Sequence, residues 1–382
     1  MSNRRSRIAA TLSPYIVGVY RRYLVWIPPT LWYVASRRGW RRMPTSALTV
    51  VMSSYEHPYV QNLRGAMSGD VLFVPVRQRH RFAVPLQFIR ADIYHLHFID
   101  ELGLDLEATT ALIAQLQAAG MKIVWTAHDL TPHSKQHYHF DPIFSAWAGA
   151  ADGVIHHSHF GEKLMRERYD FAPHAIHTVI ENPYRREHGD LTLLGQRAAI
   201  EADLGLSPTP IRIGLLGSPR VERKVMDFLR GVALSTSHDF QVVCWSLRPW
   251  EEAPHDARIA IAQTHRYSSD ETYSRRLAIC DLIALPFEPD GEMLTTGLVA
   301  DAFAMGRGIL SSEWEFLREI CRDAAIPCGH TPTSVATCLD QLTVSDVRTA
   351  QEASRALRES HDGESIRQPV VGLYRDVCGK RI

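Results

Sequence analysis

The first 55 residues contain no aspartate, glutamate or lysine, although the whole chain balances 42 basic against 42 acidic residues. Arginine alone supplies the leader's charge, at Arg4, Arg5, Arg7, Arg21, Arg22, Arg37, Arg38, Arg41 and Arg42, so the remainder carries a net −9. A balanced total argues against a general nucleic-acid binder, which carries a strong basic excess. Cysteine is scarce, and Cys244, Cys280, Cys321, Cys328, Cys338 and Cys378 form no CxxC pair. Scattered thiols in a chain long enough to fold without bridges indicate a reduced, cytosolic setting. No apolar run reaches the ~18 residues of a membrane span. The nearest, 15–34, is interrupted by Arg21 and Arg22 and broken by Pro28-Pro29. Nor does this segment read as a signal peptide, because no compact apolar core precedes a small-residue cleavage site. The nineteen histidines include no HExxH, which argues against a metal site, and the GxxxxGK[ST] phosphate loop is missing.

What remains is an ordinary globular composition, 45% hydrophobic and 22% charged over 382 residues, enough for two domains. The leader, 1–46, mixes Trp26, Trp32 and several tyrosines with its arginines. Rings at headgroup level and guanidinium groups on lipid phosphates suit an anionic membrane surface, at ~1 kcal/mol per well-placed basic residue. The alternative is a basic arm packed on the first domain or a transit peptide.

From residue 46 short apolar runs alternate with helical patterns. Strands are expected at 47–52, 71–74, 92–97, 122–127, 153–156 and 177–180, with helices at 105–119, 141–151 and 160–169 between them. A polar stretch rich in proline and glycine, 183–210, interrupts the pattern. It then restarts with strands at 211–216, 241–245, 281–286 and 308–311. Such alternation implies parallel sheets covered on both faces. The expected architecture is α/β, with two Rossmann-like domains facing across a cleft: 47–187, a linker at 188–208, and a second domain from 209 to about 360.

Ligands of open parallel sheets bind beyond the carboxyl ends of the strands. Four segments follow such ends. In LLGSPRVERK, Gly217 and Ser218 form a turn that permits close backbone approach, and Arg220 and Lys224 supply charge for a pyrophosphate. The same turn also reads as a solvated basic loop. In PFEPDGEMLTTGLVADAFAMG, Thr295, Thr296 and Gly297 open an apolar helix whose amides suit an anion, and Asp301 suits ribose hydroxyls. Either threonine also reads as a plain helix cap. In WTAHDLTPH, His128 and Asp129 suit a hydroxyl-binding or general-base role. In SSYEHPYVQN, Glu56 follows the first strand and also reads as part of a plain loop.

Taken in chain order, with DIYHLHF between SSYEHPYVQN and WTAHDLTPH, these segments resemble the GT-B glycosyltransferases, and in particular bacterial enzymes of exopolysaccharide and lipid-linked oligosaccharide synthesis. The resemblance spans roughly 48–319 and leaves the leader outside. It implies an acceptor-binding first domain, a nucleotide-sugar-binding second domain, and a final helix, 361–382, returning to the first. It implies donor-phosphate roles for Gly217, Ser218, Arg220, Lys224 and the Thr295-Thr296-Gly297 backbone. Glu292 and Asp301 take the places of the two acids in the E-x7-E motif of the retaining family-4 enzymes, and His128 that of a histidine near the transferred sugar. Here eight residues separate the acids instead of seven, the second acid is Asp, and Val225 replaces the glycine usual after the phosphate lysine. Retention and inversion both stay open, and an inverting reaction needs a base such as Asp129 or Glu56.

The implied activity is transfer of a hexose from a nucleoside-diphosphate sugar to a lipid-linked saccharide or glycan acceptor in cell-surface polysaccharide synthesis. No cofactor or metal is expected, and the place of work is the cytoplasmic face of the plasma membrane, as a peripheral protein. The alternatives are a GT-B-like nucleotide-sugar epimerase and an inactive nucleotide-sugar-binding partner in an assembly complex.

Overall fold

The computed structural model describes residues 48–54, 57–74, 91–131, 140–219, 222–248, 250–262, 268–289 and 294–379. The arginine-rich leader and the candidates Glu56, Arg220 and Glu292 lie outside the described residues.

The first sheet holds β1 (Leu48–Met52), β2 (Val71–Val74), β3 (Ile93–Leu96), β4 (Lys122–Thr126), β5 (Gly153–His156) and β6 (Ile176–Val179). All pairs are parallel, in the order β2-β1-β3-β4-β5-β6. The second sheet holds β7 (Ile211–Leu215), β8 (Phe240–Cys244), β9 (Ile259–Ile261), β10 (Leu282–Leu285), β11 (Gly308–Ser311) and β12 (Ala325–Pro327). It too is wholly parallel, in the order β12-β11-β10-β7-β8-β9. Each sheet reverses its winding once, between β1 and β3 and between β7 and β10, and leaves a crevice at the carboxyl edge there.

The fully buried strand residues explain the apolar runs, because helices cover both faces of each sheet. Over the first sheet lie α1 (Pro58–Met67), α2 (Leu106–Ala118), α3 (Phe140–Ala150) and α4 (His159–Arg168). Asp105 and Ser158 cap α2 and α4 by accepting a first-turn amide. Chain polarity is fixed at the opposite edge by a recurring device. Asp92, Asp152 and Asp281 each precede a strand, and their carboxylates accept the amides of Thr49, Ile123 and Arg212 on the adjacent strand at 2.7–2.9 Å.

The connection between the sheets is not a loose tether. Two 3-10 turns, Arg186–Gly189 and Leu191–Gln196, lead into α5 (Arg197–Asp203). Arg197 grips Asp281 at 2.6 and 3.0 Å and Glu201 at 2.9 Å. Arg212, with no exposed surface, bonds Glu201 at 3.0 Å, the Ser207 carbonyl at 2.7 Å and the Gln241 side chain. The 188–208 segment is thereby built into the second domain.

That domain also carries α6 (Val225–Leu234), α7 (Asp270–Ile279), α8 (Gly297–Ala304), α9 (Glu315–Cys321), α10 (Pro332–Gln341) and α11 (Val344–Leu357). The last helix, α12 (Gly363–Val377), lies on the first sheet beside α1. Its Leu373 and Val377 pack against Gly153, and its Tyr374 hydroxyl reaches His95 Nδ1 at 2.6 Å. The two passages of the chain between domains touch, with the Tyr184 amide donating to the His361 carbonyl at 3.0 Å.

Removing the Arg212 guanidinium strands its buried partners. Arg212→Ala is expected to lower unfolding free energy by about 3–5 kcal/mol, read from urea denaturation. A loss under about 1 kcal/mol would show the network to be dispensable.

Candidate functional site

The second sheet's crevice gathers two of the predicted segments. Gly217 ends β7's extension in a left-handed turn, φ +89°, which favours glycine. A Cβ there would stand 3.1 Å from Arg223 Nη1 and 3.2 Å from Leu298 Cδ1. The turn therefore lies directly against the start of α8. The Ser246 hydroxyl, from the loop after β8, bridges the Leu215 and Gly217 carbonyls at 3.1 and 2.8 Å. Arg223, 5% exposed, reaches the Ser218 carbonyl at 3.3 Å and lies 5.6 Å from the Phe287 ring centroid.

Backbone bonds zip this loop to the one after β10. The Lys224 amide donates to Pro286 at 2.8 Å, and the Glu288 amide donates to Glu222 at 2.9 Å. The pairing sets Lys224 Nζ 2.6 Å from Glu288 and holds the Glu288 carboxyl below its ordinary range. At α8, Thr296 is the N-cap but makes no side-chain cap bond, so its hydroxyl leaves the first-turn amides to other partners. Thr295 does not cap either; its hydroxyl accepts from Asn182 of the first domain at 3.1 Å. Asp301 has both oxygens engaged, one on His188 Nδ1 at 2.7 Å and one on the Tyr273 hydroxyl at 3.0 Å. A ribose can bond Asp301 only by sharing or displacing one of them.

The first sheet's crevice is lined by rings. The Ser53 hydroxyl accepts from the His97 amide at 2.6 Å and donates to its carbonyl at 3.1 Å, welding β1's end to β3's. His128 is 5% exposed, stacked on Phe98 at 4.1 Å and edge-on to Tyr59 at 4.6 Å. Its Nε2 lies 3.3 Å from His97 Nδ1. Asp129, half-buried, follows it and acts electrostatically on His157. His128 is thus enclosed among aromatic rings, with Asp129 the more accessible of the two.

Between the domains lies a cleft of about 570 Å³. His157, His159, Glu181 and Asn182 face it from the first domain, and Thr295, Thr296, Glu319 and Arg322 from the second. Glu319 accepts the amides of His159 and Phe160 at 2.6 and 2.8 Å. Arg322 pairs with Glu181, which also lies 3.4 Å from His361 Nδ1. Residue type alone does not mark these cross-domain partners, because their sequence separation exceeds 140 residues. Arg223 had a local signal, the basic pair before α6, which reads as solvated charge. Among the described residues, no group of three or more His, Cys, Asp or Glu is placed to hold a metal ion, and no helix is long and apolar enough to cross a membrane.

No family model matches the sequence, and no curated protein matches it. Solved structures do. A glycosyltransferase from Rickettsia africae superposes with a TM-score of 0.65 at 11% identity, covering 88% of this chain and 100% of its own. HepE from Anabaena, in complex with UDP and glucose, gives 0.63 at 12% identity over 86% of this chain and 100% of its own. Sucrose-phosphate synthase from Thermosynechococcus elongatus gives 0.64 at 12% identity over 88% and 100%. The chain has the two-domain GT-B fold of these glycosyltransferases.

The buried imidazoles give the protein an acid limit. Burial pushes His95 and His156 down to about 3 and His157 to about 4, from 6.5. They stay neutral in the fold while the unfolded chain takes up protons. Stability from this source is therefore complete above pH 6.5 and falls as pH drops toward those folded values. Each imidazole contributes a loss of about 1.4 kcal/mol per pH unit. Urea midpoints should change little from pH ~7.5 to about 6.5 and fall steadily from there to pH ~5. A midpoint unchanged over that range would contradict the neutral, buried state.

Proposed function

We propose that the protein is a glycosyltransferase moving a hexose from a nucleoside-diphosphate sugar to a lipid-linked saccharide or glycan acceptor. The observation that carries this reading is the contact of the Gly217 turn with the start of α8 across the second sheet's crevice, with Lys224 beside it. HepE, of the same fold, was crystallised with UDP and with UDP-glucose, which supports a uridine donor here.

In this reading the diphosphate rests on the α8 amides and the Gly217-Ser218 backbone. Lys224 and Arg220 meet the charge that develops as the sugar–phosphate bond breaks. Lys224 must then exchange Glu288 for phosphate, a modest cost for a pair whose acid is half exposed. Glu292 and Asp301 serve the sugar and ribose hydroxyls. The acceptor enters over the first sheet's edge, where Asp129 or Glu56 takes the hydroxyl proton and His128 borders the transferred sugar. A lipid-linked acceptor, and work at the inner face of the plasma membrane in cell-surface polysaccharide synthesis, are supported by the leader's nine arginines without an acid.

Thermal shift with a panel of nucleotide sugars tests the donor site. A ligand at ~100 times its dissociation constant adds ~2.7 kcal/mol, a rise of about 5 °C or more for a domain of this size. No shift with any uridine or guanosine diphosphate sugar would sink the reading. Lys224→Ala should weaken binding of the identified donor about tenfold, the loss of one charge-assisted bond. Gly217→Ala should weaken it further by straining the turn, with the far-UV spectrum retained. Unchanged affinity in both variants would move the donor elsewhere.

A further inference from the structure

The cleft-facing end of α4 is held by a residue of the other domain. The first two helical amides, of His159 and Phe160, donate to the two oxygens of Glu319. The next two are satisfied locally, Gly161 by the Ser158 hydroxyl and Glu162 by the Ser158 carbonyl. A carboxylate across two adjacent amides at a helix start stands in for two oxygens of a phosphate.

A second group beside it has one ring nitrogen unsatisfied among the described residues. His157 is 4% exposed, lines the same cleft and directly precedes the Ser158 cap. Its Nδ1 lies 2.8 Å from the Ile180 carbonyl, and a carbonyl only accepts, so Nδ1 carries the proton. Its Nε2 is left as a buried acceptor with no hydrogen-bond donor among the described residues. Buried polar atoms are almost always satisfied, and a ligand hydroxyl would satisfy this one. Amides suited to an anion, next to an imidazole suited to a hydroxyl, describe a phosphate ester of a polyol.

From this we infer that the start of α4 and His157 form a subsite for a phosphorylated, hydroxyl-rich acceptor, and that Glu319 is its internal occupant. The inference rests on the glycosyltransferase reading and gives its acceptor a chemistry. Entry of the acceptor exchanges the cross-domain Glu319 contact for a ligand contact, so binding and release of the two domains are linked. Arg322, already in the cleft on Glu181, offers a cation to the same ester.

Isothermal titration of the full chain, with UDP at saturation to fill the second domain, decides the matter. Glucose 6-phosphate probes a soluble source of the ester, and vesicles containing phosphatidylinositol probe a lipid source. Glucose and phosphatidylcholine vesicles are the controls. Glu319→Ala removes the occupant, and Glu319→Gln repeats the test with a side chain of the same size. His159→Pro, added to each, deletes one amide donor. Proline is compatible at this first helical position, because Ser158 before it is extended at φ −159° and ψ 157°.

Both Glu319 variants should bind at least one phosphate probe tenfold or more tightly than the wild type, and His159→Pro should remove the gain. A gain with glucose 6-phosphate alone identifies a soluble acceptor, and one with phosphatidylinositol alone a lipid acceptor. Equal affinity in wild type and both variants overturns the inference, as does a gain that survives His159→Pro or appears with the controls. UDP is titrated first on its own. Its failure to bind counts against the glycosyltransferase reading, and the phosphate titrations, run without it, still decide the subsite through His159→Pro.

Discussion

A parallel sheet concentrates function only if its strands end together, and here three aspartates fix that alignment. Asp92, Asp152 and Asp281 each sit at the foot of one strand and hold the backbone amide of the next. A slip of one residue would turn every buried side chain to the opposite face. The feet being fixed, the far ends emerge level, and the loops that follow can converge. Ser53 meets His97 on one sheet, and the Gly217 turn meets α8 on the other, through the same geometry.

The fold was legible because the buried strands are short, apolar and punctuated. Ten strands follow from that pattern, and the structure places each within a residue or two. The two missed, β9 and β12, have three residues each and are only partly buried, so their short apolar stretches do not stand out as strands. Helices α10 and α11 follow the N-caps Thr331 and Thr343, which make reciprocal capping bonds with Ser334 and Asp346.

The site was less legible, for a physical reason. Gly217 and Thr296 could be found because position after a strand is a local property. What a side chain touches is not local. Asp301 is engaged by His188 and Tyr273, the latter 28 residues away, and Glu319 reaches amides about 160 residues upstream. The basic pair Arg223-Lys224 shows the limit within one loop. Adjacent residues of like charge part company, Arg223 beneath the turn and Lys224 toward Glu288, because the ribbon pairing with Phe287 directs successive side chains to opposite sides.

The chain passes between the domains twice, and the two passages are bonded to each other at Tyr184 and His361. Two adjacent strands of backbone behave as a pair of pins on one axle. In such an arrangement a swing about the line that joins them would disturb less than a twist across it. Were the domains to turn about that axle, Glu181 and Asn182 beside it would move least and groups farther out most. A lever of this form turns a few degrees at the pivot into ångströms at the rim, without any rearrangement inside either sheet.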